Sequence, residues 1–121
     1  MNLVTLSWLV LLLIHATPAV AAFSKRLCVQ MYAVDETPGL GVVLAHRGVL
    51  FLAVALACFI AAQDPPSRPL ATVVTGTSLL GFLALYAKAG FPKGPLQGIA
   101  LVDLVGVPPL ALVTADAWNL F

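Results

Sequence analysis

The stretch LAHRGVLFLAVALACFIAA, Leu44 to Ala62, decides the fold. After His46 and Arg47 it carries no Asp, Glu, Lys or Arg. An apolar run of about 20 residues crosses the hydrocarbon core of a bilayer at about 1.5 Å per residue. The run extends back to Leu40, and three others of similar character lie around it: Leu3 to Ala22, Leu70 to Ala87 and Gly98 to Ala115. Between them stand chain breakers, DETPG at Asp35 to Gly39, DPPSRP at Asp64 to Pro69 and KAGFPKGP at Lys88 to Pro95. Short links of this kind place each helix beside its sequence neighbour. The expected architecture is all-α: one transmembrane domain over residues 1–121, a four-span helix bundle with antiparallel neighbours.

Composition agrees with that reading. Hydrophobic residues make up 61% of the chain and charged residues 9%, with a mean hydropathy of +1.05. A soluble domain is about 45–50% apolar and about 25% charged, and a small globule cannot hide this much apolar surface. The bilayer is therefore the expected solvent and first partner. A net charge of +1 provides no basic field for nucleic acid. Cys28 and Cys58 match no metal or redox spacing, and their places in the chain argue against a disulfide.

Charge order sets the expected orientation. Lys25 and Arg26 follow the first run directly, and no cation precedes it. A cleaved secretory signal has the opposite order, so the first run is read as a retained span despite its AVAA ending. By the positive-inside rule, the link 23–39 is cytoplasmic, as are Lys88 and Lys93, and both termini lie outside. The expected location is a bacterial inner (plasma) membrane. Within the link, Phe23, Leu27, Met31 and Val34 recur at helical spacing. They fit a helix lying in the headgroup layer or a cytoplasmic extension of the first span. Trp8 and Trp118 fall near the outer ends, where indole rings commonly anchor at the interface.

The ionisable residues converge on one level. Helical rise places Arg47, with His46 beside it, about 10 Å inward from the cytoplasmic end of the second span. On the same scale Asp103 lies about 7–8 Å into the fourth span and His15 about 10 Å from Ala22 in the first. Lys88 closes the third span on that side. An unpaired charge in hydrocarbon costs about 2.5–3.5 kcal/mol on the insertion scale, so Arg47 and Asp103 have reason to meet as a bidentate pair. Such a pair serves either as a structural clasp between helices or as a ligand or proton site, with His15, His46 and Lys88 as further candidates. A charged layer on one side only argues against a small oligomeric transporter.

Two packing features accompany this layer. Ala53, Ala57 and Ala61, and in the third span Thr72 with Gly76 and Thr77 with Gly81, form small-residue stripes suited to close helix approach within the bundle or between copies. Pro108 and Pro109 remove two backbone donors near mid-membrane and should bend or open the fourth span. There is no HExxH, GxSxG, P-loop or GxGxxG signature. No catalytic residue, metal site or enzymatic activity is assigned.

In layout the chain resembles the small DoxX-like four-helix membrane proteins. The resemblance rests on VDETPG (Val34 to Gly39) leading into HRGVLFLAVAL (His46 to Leu56), and on the acid of the last span in DLVGVPPL (Asp103 to Leu110). It implies an accessory membrane protein of unassigned activity. It also implies an alternative, a membrane subunit of a quinone-linked redox or proton-coupled transport system built on the Arg47 and Asp103 layer. A membrane protein partner or a second copy of the chain is compatible with either.

Overall fold

The computed structural model describes residues 2–20 and 38–120. Helix α1 spans Leu3–Val20. Asn2 starts it, its side-chain Oδ1 accepting the Thr5 backbone N–H at 2.8 Å, as an N-cap does for an orphan donor of the first turn. Helix α2 spans Pro38–Gln63 and ends where Asp64 precedes the Pro65–Pro66 pair. The residue before a proline is driven out of the helical region, and Asp64 is extended at φ −123°, ψ 95°. A single 3-10 turn, Pro65–Ser67, then leads straight into α3, Arg68–Lys88.

The return to the last span needs backbone that only glycine adopts easily. Gly90 and Gly94 have φ of 86° and 121°. The Tyr86 hydroxyl holds this link by donating to the Pro92 carbonyl at 2.7 Å. The fourth apolar run is two helices, α4 at Pro95–Val105 and α5 at Val107–Ala117. Pro108 and Pro109 have no N–H to offer the Leu104 and Val105 carbonyls, so the helical ladder breaks there, as the proline pair predicts. Gly106 bridges the break, accepting from the Leu110 N–H at 3.0 Å.

Four segments, Leu3–Val20, Val42–Gln63, Pro65–Lys88 and Leu96–Ala117, are long and apolar enough to cross a membrane. Their outer limits differ from the sequence reading by a few residues because the prolines at positions 38, 69 and 95 sit inside the first helical turns, where a missing N–H costs nothing. The described residues are all helical apart from turns and links. Helix α1 packs against α2 and α5, and α3 packs against α2, α4 and α5. The core gathers Trp8 and Leu11 of α1, Val54, Cys58, Ala61 and Ala62 of α2, Ala71 and Leu79 of α3, and Leu110 and Val113 of α5.

Two expectations are corrected here. Trp8 is fully buried in that core and its indole N–H meets no acceptor among the described residues, so it is a packing residue and not an interface anchor. Trp118 is 52% exposed and does place its ring at a helix end. Of the alanine stripe of α2 only Ala61 is buried: Ala53 is exposed, and the buried face runs through Val54, Ala55, Cys58, Ala61 and Ala62. Three of these five are alanine, so small side chains make most of the α2 contact. Lys25, Arg26, Cys28 and the link helix proposed for 23–39 lie outside the described residues, except that Pro38 and Gly39 begin α2.

Candidate functional site

Helix α2 carries Arg47 half-buried, with its guanidinium 4.7 Å from the Phe51 ring centroid and 5.4 Å from that of Phe82 on α3. Both distances lie within the range of a cation–π contact. Asp103 is buried on α4, in the turn before Gly106, where Ile14 of α1, the neighbour of His15, comes close. The bidentate contact is not formed. Among the described residues the ion pair within 4.0 Å is Arg68–Asp116. The reason is packing: α4 lies against α3 and α5, while Arg47 is drawn onto two aromatic faces on the α2–α3 side.

His15 joins this level from α1 and is buried. Its Nδ1 lies 2.9 Å from the Leu11 carbonyl and its Nε2 lies 3.1 Å from the Ser78 hydroxyl of α3. A carbonyl only accepts, so Nδ1 carries the hydrogen, and in the neutral ring Nε2 accepts from Ser78. The ring also rests 5.7 Å from Phe51, tilted by 46°. His46 and Lys88 are exposed and point away from the interior, so they do not converge with His15, Arg47 and Asp103. On α2, a residue one step from Arg47 faces about 100° away, which the spacing alone shows. Among the described residues no group of three His, Cys, Asp or Glu could hold a metal ion.

Gly106 holds the level together from α4–α5. A Cβ placed on it would stand 2.7 Å from Leu79 Cδ1 and 2.9 Å from Ile14 Cδ1, so α1, α3 and the helix break meet where a hydrogen replaces a methyl. Beside this layer, α2 and α3 part to leave a groove of about 380 Å³. Arg47 and Phe82 stand at one end of it, Gly81 forms its floor, and Thr77, Ser78 and Val54 lie at the other end.

A second polar cluster was not anticipated. Arg68 donates from Nε to the Ala61 carbonyl at 2.7 Å and from a terminal nitrogen to the Ala62 carbonyl at 3.3 Å. These are orphan acceptors at the negative end of α2, where a cation is favoured. The same guanidinium reaches Asp116 at 3.5 Å. Beside it, Trp118 Nε1 donates to Thr72 Oγ1 at 3.0 Å, and Thr72 donates to the Pro69 carbonyl at 2.7 Å. Ala61 lies about 21 Å along α2 from Arg47 by helical rise. A charged pair thus stands at the opposite end from Arg47 and Asp103, which removes the one-sided-layer objection to transport. Depth matching of Arg68 with Asp116 would have found it.

No known family model, curated protein or solved structure matches this chain.

Proposed function

We propose that the chain is a four-span integral membrane protein of structural or accessory type, with antiparallel neighbours and both termini on the outer face. The observation that carries this reading is the distribution of polarity. Ser7, His15, Thr72, Thr75 and Asp103 are buried, while Leu13, Val42, Leu70, Leu85 and Val105 are each more than 60% exposed. Only 22–33% of each candidate span is buried against the rest of the chain. In water such a surface would far exceed the apolar patches a monomer tolerates, whereas in lipid it is the solvated face and the polar groups find partners inside.

The resemblance to DoxX-like proteins belongs to the same proposal and rests on the order of the quoted segments. An accessory protein works by docking to a larger membrane partner. Two experiments test this directly. Alkaline carbonate should leave the chain in the membrane pellet, and release into the supernatant would refute insertion. In mild detergent the chain should migrate with a larger membrane assembly or with copies of itself; migration as a lone monomer would refute the accessory role.

A second reading, a subunit of a quinone-linked redox or proton-coupled system, is favoured by one observation. Ser78, which lines the α2–α3 groove with Arg47, hands a hydrogen bond inward to His15. A quinone carried in this protein's membrane and reduced in proportion to the chain's abundance, with loss on His15→Phe, would support it.

A further inference from the structure

We infer that the groove between α3 and α4 is a binding site for one anionic phospholipid, with its phosphate at Lys93 and Gln97 and an acyl chain along Leu101 and Leu104. The inference rests on the membrane reading above and adds a class of ligand to it. The groove encloses about 490 Å³. Tyr86 of α3 lines it, with Phe91 and Lys93 of the link and Gln97, Ala100, Leu101 and Leu104 of α4. Leu101 and Leu104 are each 56% exposed, so it opens to the side on which a span meets lipid.

The polar rim selects the headgroup. Among the described residues neither the Lys93 ammonium nor the Gln97 side-chain amide has a hydrogen bond or ion pair. The ammonium offers three donors and the amide two, which suits phosphate oxygens. Lys93 precedes the span Leu96–Ala117 by three residues, at the headgroup level where a long cationic side chain reaches phosphate. Helical spacing keeps acid away from this rim. Gln97, Ala100, Leu101 and Leu104 stand at i, i+3, i+4 and i+7 on one face of α4. Asp103 lies about 100° round the axis from Leu104 and is buried. Asp64 and Asp116, the other acids among the described residues, stand beside the start of α3, the length of that helix away.

The wall beside the rim is built at a conformational cost. Phe91 has φ of 57°, a region that residues other than glycine seldom occupy. Its N–H donates to the Tyr86 carbonyl at 3.2 Å, and its ring stands edge-on to the Tyr86 ring with 5.8 Å between centroids. Tyr86 is itself fixed by stacking on Phe82 and by its hydroxyl bond to Pro92. A ring that is 65% exposed is thus held beside the groove in advance of any ligand. Strain of this kind gathers at ligand clamps. From Gln97 to Leu104 the groove runs about 10 Å along α4 into the hydrocarbon level, the direction in which an acyl chain anchored at Lys93 enters. An apolar helix laid in the groove would fill its length and leave the Lys93 and Gln97 donors unserved. A phospholipid serves both parts.

The test uses the full chain purified in mild detergent and native mass spectrometry with phosphatidylglycerol and phosphatidylcholine of identical acyl chains. The wild type should retain one phosphatidylglycerol over phosphatidylcholine by about fivefold, the ratio that one basic side chain supports at an anionic headgroup. Lys93→Gln should bring the two lipids within about twofold of each other. Lys88→Gln removes the same charge from the same end of the molecule but outside the groove, and should leave the preference intact. Leu101→Trp and Leu104→Trp fill the groove at exposed positions and should abolish the retained lipid. Val105→Trp adds the same bulk at a 67% exposed position of α4 outside the groove and should leave retention unchanged. Phe91→Gly keeps the turn, since glycine accepts the positive φ, and should weaken retention by removing the wall. Equal retention of the two lipids by the wild type, equal effects of Lys88→Gln and Lys93→Gln, or retention unaffected in both filling variants would overturn the inference. So would a dimer of the chain that the filling variants dissociate with no lipid lost. A chain that stays in carbonate-washed membranes but shows no lipid preference refutes this site alone; a chain released by carbonate refutes the membrane reading beneath it.

Discussion

Replacing Gly76, Gly81 and Gly106 singly by alanine makes one chemical change in two kinds of surroundings, and the structure predicts opposite signs. At Gly76 and Gly81 an added Cβ meets nothing within 4 Å, so the gain is helix propensity, up to about 1 kcal/mol. At Gly106 the Cβ falls 2.7 Å from Leu79 Cδ1 and 2.9 Å from Ile14 Cδ1. Apolar carbons rest at about 3.5–4.0 Å, so the overlap is about 1 Å on two sides at once. Leu79 is fully buried and cannot turn aside into empty space. Overpacking of this kind costs about 1–3 kcal/mol. Gly106 has φ −75° and ψ −13°, which alanine adopts freely, so steric crowding alone opposes the propensity gain. The net loss should reach about 2 kcal/mol at Gly106, against a gain at the other two positions. Reversible unfolding of each variant in one mixed-micelle system, followed by far-ultraviolet circular dichroism, reads the difference. Gly106→Ala found as stable as Gly76→Ala would refute the claim that α1, α3 and the helix break meet at this residue.

Other outcomes follow from the two polar clusters. Arg68→Gln should destabilise the fold by about 1–3 kcal/mol through lost charge-assisted bonds to the α2 carbonyls, whereas Asp116→Asn, removing a partly exposed pair, should cost less than about 1 kcal/mol; equal losses in thermal unfolding would contradict the capping role. Nitrogen chemical shifts of His15 in labelled protein should report hydrogen on Nδ1, as the 2.9 Å contact with the Leu11 carbonyl requires, and hydrogen on Nε2 alone would contradict the bond.

The sequence made some of this legible and hid the rest for identifiable reasons. Apolar run length marked the four candidate spans because 1.5 Å per residue against a fixed thickness leaves little choice. The proline pair at 108–109 announced the break between α4 and α5 because a missing donor has a fixed consequence. Rotation about each helix axis was not legible. Helical rise gives Arg47 and Asp103 similar depths, yet whether their side chains meet depends on which helix stands between them, and α4 lies on α3 and α5. Trp8 was misplaced for a related reason: an indole near a span end serves the interface or the core, and only packing decides. Gly106 carried no signal as a contact residue, since its importance lies in the atoms of Leu79 and Ile14 that approach it.

The claim on which the account depends most is that the chain crosses lipid four times, beginning and ending outside. A dual reporter fused after Phe121, with one enzyme active only in the cytoplasm and the other only beyond the membrane, measures it in intact cells. The account predicts activity of the external reporter alone. Activity of the cytoplasmic reporter alone would contradict the assigned topology and the shared inner layer built on it.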